Sequence, residues 1–228
     1  LFHIEALGTY DSSRLNLNGS ASFDEIKMND GQKNVVNDLV ELDTIASKLD
    51  AEYRVSPKFS FSAGVRYDET EYQTFKNLFS DRATTAYPLS VYYDLTPKLD
   101  LILGYTYSVT DVEGGNSYGA GLDPIVSYEQ DTDFFNIGLR GNISTKLTGF
   151  FKIGYRTVSA GGKAINESNE SIDRSDRDML GLNASLTWMA TSKLLYQLAL
   201  SREYNTGGLG EATEAVSYTH LTLPTRRG

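Results

Sequence analysis

From Ser56 the chain reads SPKFSFSAGVRY, and the pattern returns as TPKLDLILGYTY from Thr96, STKLTGFFKIGYR from Ser144 and TSKLLYQLALSR from Thr191. Its lysines, Lys58, Lys98, Lys146 and Lys193, are spaced by 40, 48 and 47 residues (98−58, 146−98, 193−146). A recurrence at that period is read first, because it decides the architecture. After each lysine, apolar and polar residues alternate for about ten positions, the period of a strand. One face reads Phe59, Phe61, Ala63, Val65, Tyr67, then Leu99, Leu101, Leu103, Tyr105, Tyr107. The same face continues through Leu147, Gly149, Phe151, Ile153, Tyr155 and Leu194, Tyr196, Leu198, Leu200, with no charge. The opposite face is mostly polar or small: Ser60, Ser62, Gly64, Arg66, Asp100, Gly104, Thr106, Thr148, Lys152, Gly154, Gln197, Ala199 and Ser201, interrupted by Ile102, Phe150 and Leu195.

The segments arriving at each turn alternate in the same way. Leu49, Ala51, Tyr53 and Val55 interleave with Lys48, Asp50, Glu52 and Arg54, and Phe135, Ile137 and Leu139 with Asn136 and Arg140. Leu89, Val91 and Tyr93 face away from Ser90, Tyr92 and Asp94, and Leu182, Leu186 and Trp188 from Asn183, Ser185 and Thr187. A first hairpin turns at Asp11–Arg14. This gives ten strands in five hairpins. The turns at Asp11–Arg14, Ser56–Lys58, Thr96–Lys98, Ser144–Lys146 and Thr191–Lys193 are tight and rich in Ser, Asp and Pro, which preset turns. The connections at the other end are long and hydrophilic, near Lys27–Asn37, Thr74–Ala83, Asp111–Thr132 and Ser159–Arg177.

Strand length separates a membrane wall from a soluble sandwich. Strands of globular sheets run about 5–6 residues, whereas tilted membrane crossings need about 9–11. Alternation over about ten residues, with turns short on one side only, predicts an all-β, antiparallel, up-and-down transmembrane β-barrel. Tyr67, Tyr107, Tyr155 and Tyr204 cluster at the loop side and Tyr53, Tyr93 and Trp188 at the turn side, as two interfacial girdles would. A mean hydropathy of −0.34 does not oppose this, since a barrel turns half its residues to water.

The charge of −9 argues against a nucleic-acid partner, and zero cysteines remove disulfides and thiol chemistry. Val216–Gly228, VSYTHLTLPTRRG, breaks the alternation and resembles a translated sequencing adaptor. The barrel domain is therefore expected to be residues 1–215, incomplete at both ends and part of a larger barrel, with 216–228 a non-native tail.

The Ser/Thr-x-Lys turns followed by strands of the LxLxxGYxY kind, with Asp-, Asn- and Ser-rich outer loops, resemble the second-type family of β-barrel porins of Gram-negative bacteria over essentially all of Leu1–Ala215. The resemblance implies the outer membrane as location, its lipids and the barrel-assembly machinery as partners, and a porin-like passive channel for small hydrophilic solutes. The alternative is a structural or interaction barrel without general pore activity, linked to exopolysaccharide export.

Catalytic chemistry finds little support. His220 lies in the tail, and His3 shares the polar face with Glu5 and Thr9, so no Ser/His/Asp set is readable. Asp50 and Glu52 share one face and are expected to pair with Lys48 and Arg54 rather than hold a metal. DVEGGNSYGAGLD (Asp111–Asp123) is glycine-rich but sits in an outer loop, the wrong context for a phosphate cradle. The chain is read as a non-enzyme without metal or cofactor. Function is expected in the inner wall: Lys48, Asp50, Glu52, Arg54, Arg66, Asp68, Asp100, Arg140, Lys152 and Arg156 are the candidate lumen-lining residues. Both signs are present, so no ion preference is assigned. Sequencing the gene across the codon for Ala215 is expected to run into further repeats and a last strand ending in Phe; a frame that reads VSYTHLTLPTRRG and stops would overturn the adaptor reading.

Overall fold

The computed structural model describes residues 2–29, 39–76, 79–114, 127–165, 171–174, 176–191, 194–205 and 214–222. Ten long strands follow one another: β1 (Phe2–Asp11), β2 (Leu15–Asn29), β3 (Leu39–Arg54), β4 (Phe59–Tyr72), β5 (Arg82–Thr96), β6 (Leu99–Val112), β7 (Tyr128–Asn142), β8 (Leu147–Ala160), β11 (Arg177–Thr191) and β12 (Leu194–Asn205). A small hairpin, β9 (Lys163–Ile165) with β10 (Ser171–Asp173), stands between β8 and β11. Glu214–Thr222 forms β13 and pairs with β12 from Gln197↔Thr222 to Asn205↔Glu214. The main sheet runs β1-β2-β3-β4-β5-β6-β7-β8-β11-β12-β13, each strand antiparallel to its neighbour, and β1 and β13 do not pair to close it.

The strands exceed the ten residues of alternation: β2 to β8 and β11 each have 14–16. The extra length lies at the loop side, where hydrophilic sequence continues the ladder instead of leaving it. β5 begins at Arg82, inside the stretch expected to be loop. The turn at Ser192–Lys193, the glycine-rich stretch from residue 115 to 126, and much of the Lys27–Asn37 connection lie outside the described residues.

The repeated Ser/Thr-x-Lys has a direct cause. The Ser56 hydroxyl accepts the amides of Lys58 (3.3 Å) and Phe59 (3.1 Å), and Ser144 accepts those of Lys146 (3.3 Å) and Leu147 (3.1 Å). Thr96 accepts the Lys98 amide at 3.3 Å, and Ser12 that of Leu15 at 3.0 Å. A hydroxyl at that position satisfies the amides that the reversal strips from the ladder.

The two faces part sharply. On β6, Ile102 is 1% exposed and its neighbour Leu103 is 54% exposed. Leu103 belongs to an outward field with Leu49, Phe61, Leu89, Val91, Phe135, Ile137, Phe151 and Leu180, all open to the surroundings. The buried apolar side chains instead sit on the polar face, toward its loop-side end: Val40, Leu42, Val112, Tyr128, Val158 and Met179. The Tyr72 ring stacks on Phe79 there at 4.8 Å. Alternation alone assigned this face to water; its upper end is a small apolar core.

Outward tyrosines mark the loop-side edge of the apolar field. Tyr67 donates to Glu69 (3.0 Å), Tyr105 to Asp133 (2.5 Å) and Tyr107 to Asp131 (2.6 Å). At the turn side Trp188 stacks on Tyr196 at 5.4 Å and Phe59 packs on Tyr93 at 5.0 Å. Beyond the tyrosines the outward positions turn acidic, with Asp43 opposite Glu71 and Asp111 opposite Glu129. Lys76, in the connection after β4, donates to Glu71 at 2.8 Å, and that carboxylate holds its ammonium above its ordinary pKa. Leu103→Arg is expected to cost about 2–4 kcal/mol of stability in lipid vesicles, measured by denaturant titration; a loss within about 0.5 kcal/mol would mean that this face does not meet lipid.

Candidate functional site on the concave face

Side chains of β3, β4, β5, β6, β7, β8 and β11 that alternate away from the apolar field share one concave surface. Its curl follows from a single contact. Arg140 on β7 reaches Glu52 on β3, although four strand spacings of about 4.8 Å would part them by roughly 19 Å in a flat sheet. That is beyond the combined reach of an arginine and a glutamate, so the sheet must bend around them.

The Arg140 guanidinium is held on three sides. Nη1 and Nη2 donate to the two Glu52 oxygens at 2.8 and 2.7 Å, and Nε donates to Asp100 at 2.8 Å. The guanidinium carbon lies 3.5 Å from the centre of the Tyr92 ring, whose hydroxyl meets that of Ser62 at 3.2 Å. A planar fork matched to a carboxylate and stacked on an aromatic ring is a role lysine cannot fill. The arrangement is a strut across the concave face near the turns.

Nearer the loops the same face opens into a hollow of about 320 Å3. Arg66 and Asp68 come from β4, Arg82, Thr84 and Ser90 from β5, Thr106 and Thr110 from β6, Gln130 and Asn136 from β7, Lys152 and Arg156 from β8, and Asn183 from β11. The Arg156 guanidinium lies 4.6 Å from the Phe134 ring centre, and the Thr84 and Thr110 hydroxyls meet at 3.0 Å. Small residues make this packing possible. A Cβ on Gly64 would stand 2.4 Å from Asp50 Oδ1, one on Gly104 2.5 Å from Asn136 Oδ1, and one on Gly181 2.5 Å from the Phe134 ring. Asp50 and Asn136 therefore lie over a glycine on the adjacent strand, and the Phe134 ring reaches across β8 to Gly181.

The ten candidate residues thus fall into groups. Arg66, Asp68, Lys152 and Arg156 line the hollow, while Glu52, Asp100 and Arg140 form the strut. Arg54 approaches Asp94 at 3.8 Å, and Lys48 stands directly opposite Arg66 in the register. The expected pairing of Asp50 and Glu52 with Lys48 and Arg54 is corrected: Asp50 faces Arg66 at 3.8 Å, and Glu52 binds Arg140. Same-face neighbours along one strand are spread by two residue rises, whereas cross-strand partners approach more closely. His3 bonds Asp24, its opposite residue on β2. Among the described residues no group of three or more His, Asp or Glu is placed to hold a metal ion.

Three participants escaped the sequence reading. Tyr92 and Asp94 had been put on the polar face without a role, and an aromatic residue in polar phase was the available signal. Arg82 was hidden because it falls within Thr74–Ala83, which reads as loop.

No protein-family model matches the chain, and no curated protein matches it. Solved structures that resemble it include the toluene transporter TbuX of Ralstonia pickettii, at 10% identity and a TM-score of 0.45 over 96% of this chain and 70% of that one. They also include BauA, the ferric preacinetobactin receptor of Acinetobacter baumannii, at 11% identity and a TM-score of 0.45 over 96% of this chain. This chain spans 43% of the length of BauA. LpxR of Salmonella typhimurium matches at 11% identity and a TM-score of 0.40, over 95% of this chain and 86% of that one.

One expectation is corrected here. LpxR, an enzyme, is among the chains of similar strand arrangement, so the reading of this chain as a non-enzyme does not stand. The physical reason is visible in the strut: curling joins residues 88 positions apart, so a site on such a wall need not show as a sequence motif. The chain folds as the wall of an up-and-down transmembrane β-barrel, long strands with an apolar outward field, an aromatic rim and a polar concave face.

Arg140→Gln is expected to destabilise the sheet by about 1–3 kcal/mol, because it leaves two partly buried carboxylates beside Tyr92 without their cation. Chemical denaturation of the refolded protein in micelles measures this, and Arg140→Lys should not restore more than part of the loss. An unchanged midpoint for Arg140→Gln would show that the strut contributes nothing to the curl.

Proposed function

We propose that this wall belongs to a channel that passes small hydrophilic solutes across the outer membrane, with the concave face as its lumen and further strands completing the circle. The observation that carries this reading is the hollow, a space of about 320 Å3 lined by charges, hydroxyls and amides on a wall whose other face is apolar. Interiors of wide barrels are wet, and rings of charge along them select what passes. The ten candidate residues act in this reading as the lumen lining, and the Arg140 strut narrows the passage at the turn side.

A second reading, a barrel that is structural or guides a partner without conducting, draws on the same strut. Arg140 fixed between Glu52, Asp100 and Tyr92 puts a filled cross-section where an open pore would need space.

Planar-bilayer recordings of the full-length protein decide between them. The channel reading predicts stable unitary conductance that rises when Arg140→Ala removes the strut. Silent bilayers with properly folded protein, in both wild type and variant, would end the channel reading in favour of the structural one.

A further inference from the structure

Tyr72 ends β4 on the concave side, opposite Leu42 of β3. Beyond it the chain at first stays beside β3. The Gln73 amide donates to the Glu41 carbonyl at 2.8 Å, and the Thr74 hydroxyl accepts the Glu41 amide at 2.9 Å. Then it turns inward. The Phe79 amide donates to the Phe75 carbonyl at 3.1 Å, and the Phe79 ring lies on that of Tyr72 with 14° between their planes. Phe79 and Ser80 are both buried, so this stretch passes over the concave face rather than out among the loops. Asp81 ends it. Its carboxylate accepts the Tyr72 amide at 2.6 Å and its carbonyl accepts the Glu113 amide at 2.9 Å. The next residue, Arg82, already lines the hollow.

Two features work against this closed arrangement. Phe75 has a φ of 55°, a left-handed backbone that a bulky side chain adopts only under strain. The hydroxyl oxygens of Ser80 and of Tyr128, in the same apolar cap, are buried with no hydrogen-bond partner among the described residues. Such groups lose their water and gain nothing in return. A permanent plug has no use for strain and stranded hydroxyls, whereas an element with two arrangements is released by them.

We propose that residues 73–76 and 79–81 are the two limbs of a strap that closes the hollow from the loop side and lifts to admit solute, with the Tyr72–Phe79 stack as its latch. Lifting relaxes Phe75 and gives the Ser80 and Tyr128 hydroxyls to water; closing returns the Phe79 ring to Tyr72. The hydrogen bonds at Thr74 and Asp81 are the feet on which it turns. The strap deepens the channel reading as the regulation of its hollow, and rests on that reading for what passes; the movement itself does not.

The test uses the lack of cysteine in the sequence, which lets a single thiol report on the hollow. Ser108 lines the hollow, and Ser108→Cys only exchanges an oxygen for a sulfur. The rate at which a water-soluble methanethiosulfonate modifies that thiol is measured on the full-length protein in lipid vesicles. Phe79→Ala removes the latch and should speed modification about tenfold or more. Ser80→Ala removes a stranded hydroxyl, favours the closed strap and should slow modification about threefold or more. Because the second change lowers the rate, a folding defect cannot imitate it. Equal rates with and without the two changes, or faster modification with Ser80→Ala, overturn the strap. Bilayer recordings of the same variants separate the two readings. Steady conductance that neither change alters leaves the channel without the strap, whereas rates that shift as stated in a protein silent in bilayers leave the strap without the channel.

Discussion

Backbone amides in hydrocarbon have no water to turn to, and that constraint shapes the rest of this molecule. It is met strand by strand, through antiparallel ladders that run unbroken for a dozen or more rungs between most neighbours. Once the ladder is fixed, the pleat gives each strand one set of side chains for lipid and one for the interior. The tight turns follow from the same requirement, since a Ser or Thr hydroxyl takes up the amides that a reversal would strand. What looks like a repeated sequence is one solution to one problem, used at each crossing.

The distribution of apolar residues inverts that of a soluble domain. Leu103, Phe135 and Ile137 stand open where a soluble sheet would bury them, while the tightly packed apolar residues Val40, Val112 and Val158 sit inside, near the loops. The interior is organised along its length: an apolar cap toward the loops, a polar, charge-lined hollow in the middle, and an ion-paired strut toward the turns. Cross-strand register sets these levels, because each strand contributes one residue to a level and glycine makes room for the side chain crossing from the next strand.

Much of this was legible beforehand, and the gaps have physical causes. Alternation located ten strands and told lipid from interior at Phe59–Tyr67 and Leu99–Tyr107, since a period of two is a local property. It stopped short before β5, where Arg82 and Ala83 end a hydrophilic stretch that reads as loop, and Arg82 was lost there. It could place Glu52 and Arg140 on the same face but could not join them. Their contact depends on how far each strand is staggered against the next, and that accumulates over strands with no mark in any one of them. The apolar cap was missed for a related reason: Val40 and Val158 follow the polar phase of their strands and are buried only because the sheet curls over them.

Pro88 carries a consequence of its own. It lies within β5, opposite Thr106 on β6, and without an N–H it cannot complete both sides of its strand. The β4–β5 ladder passes from Ala63↔Leu89 to Arg66↔Ala86 without the rungs between, while β5–β6 continues through Pro88. The wall therefore has a seam, and it runs beside the hollow that Arg66, Ala86 and Pro88 help to line. In mechanical terms the wall is locally unstitched there, two rungs short on the side of β5 that faces β4.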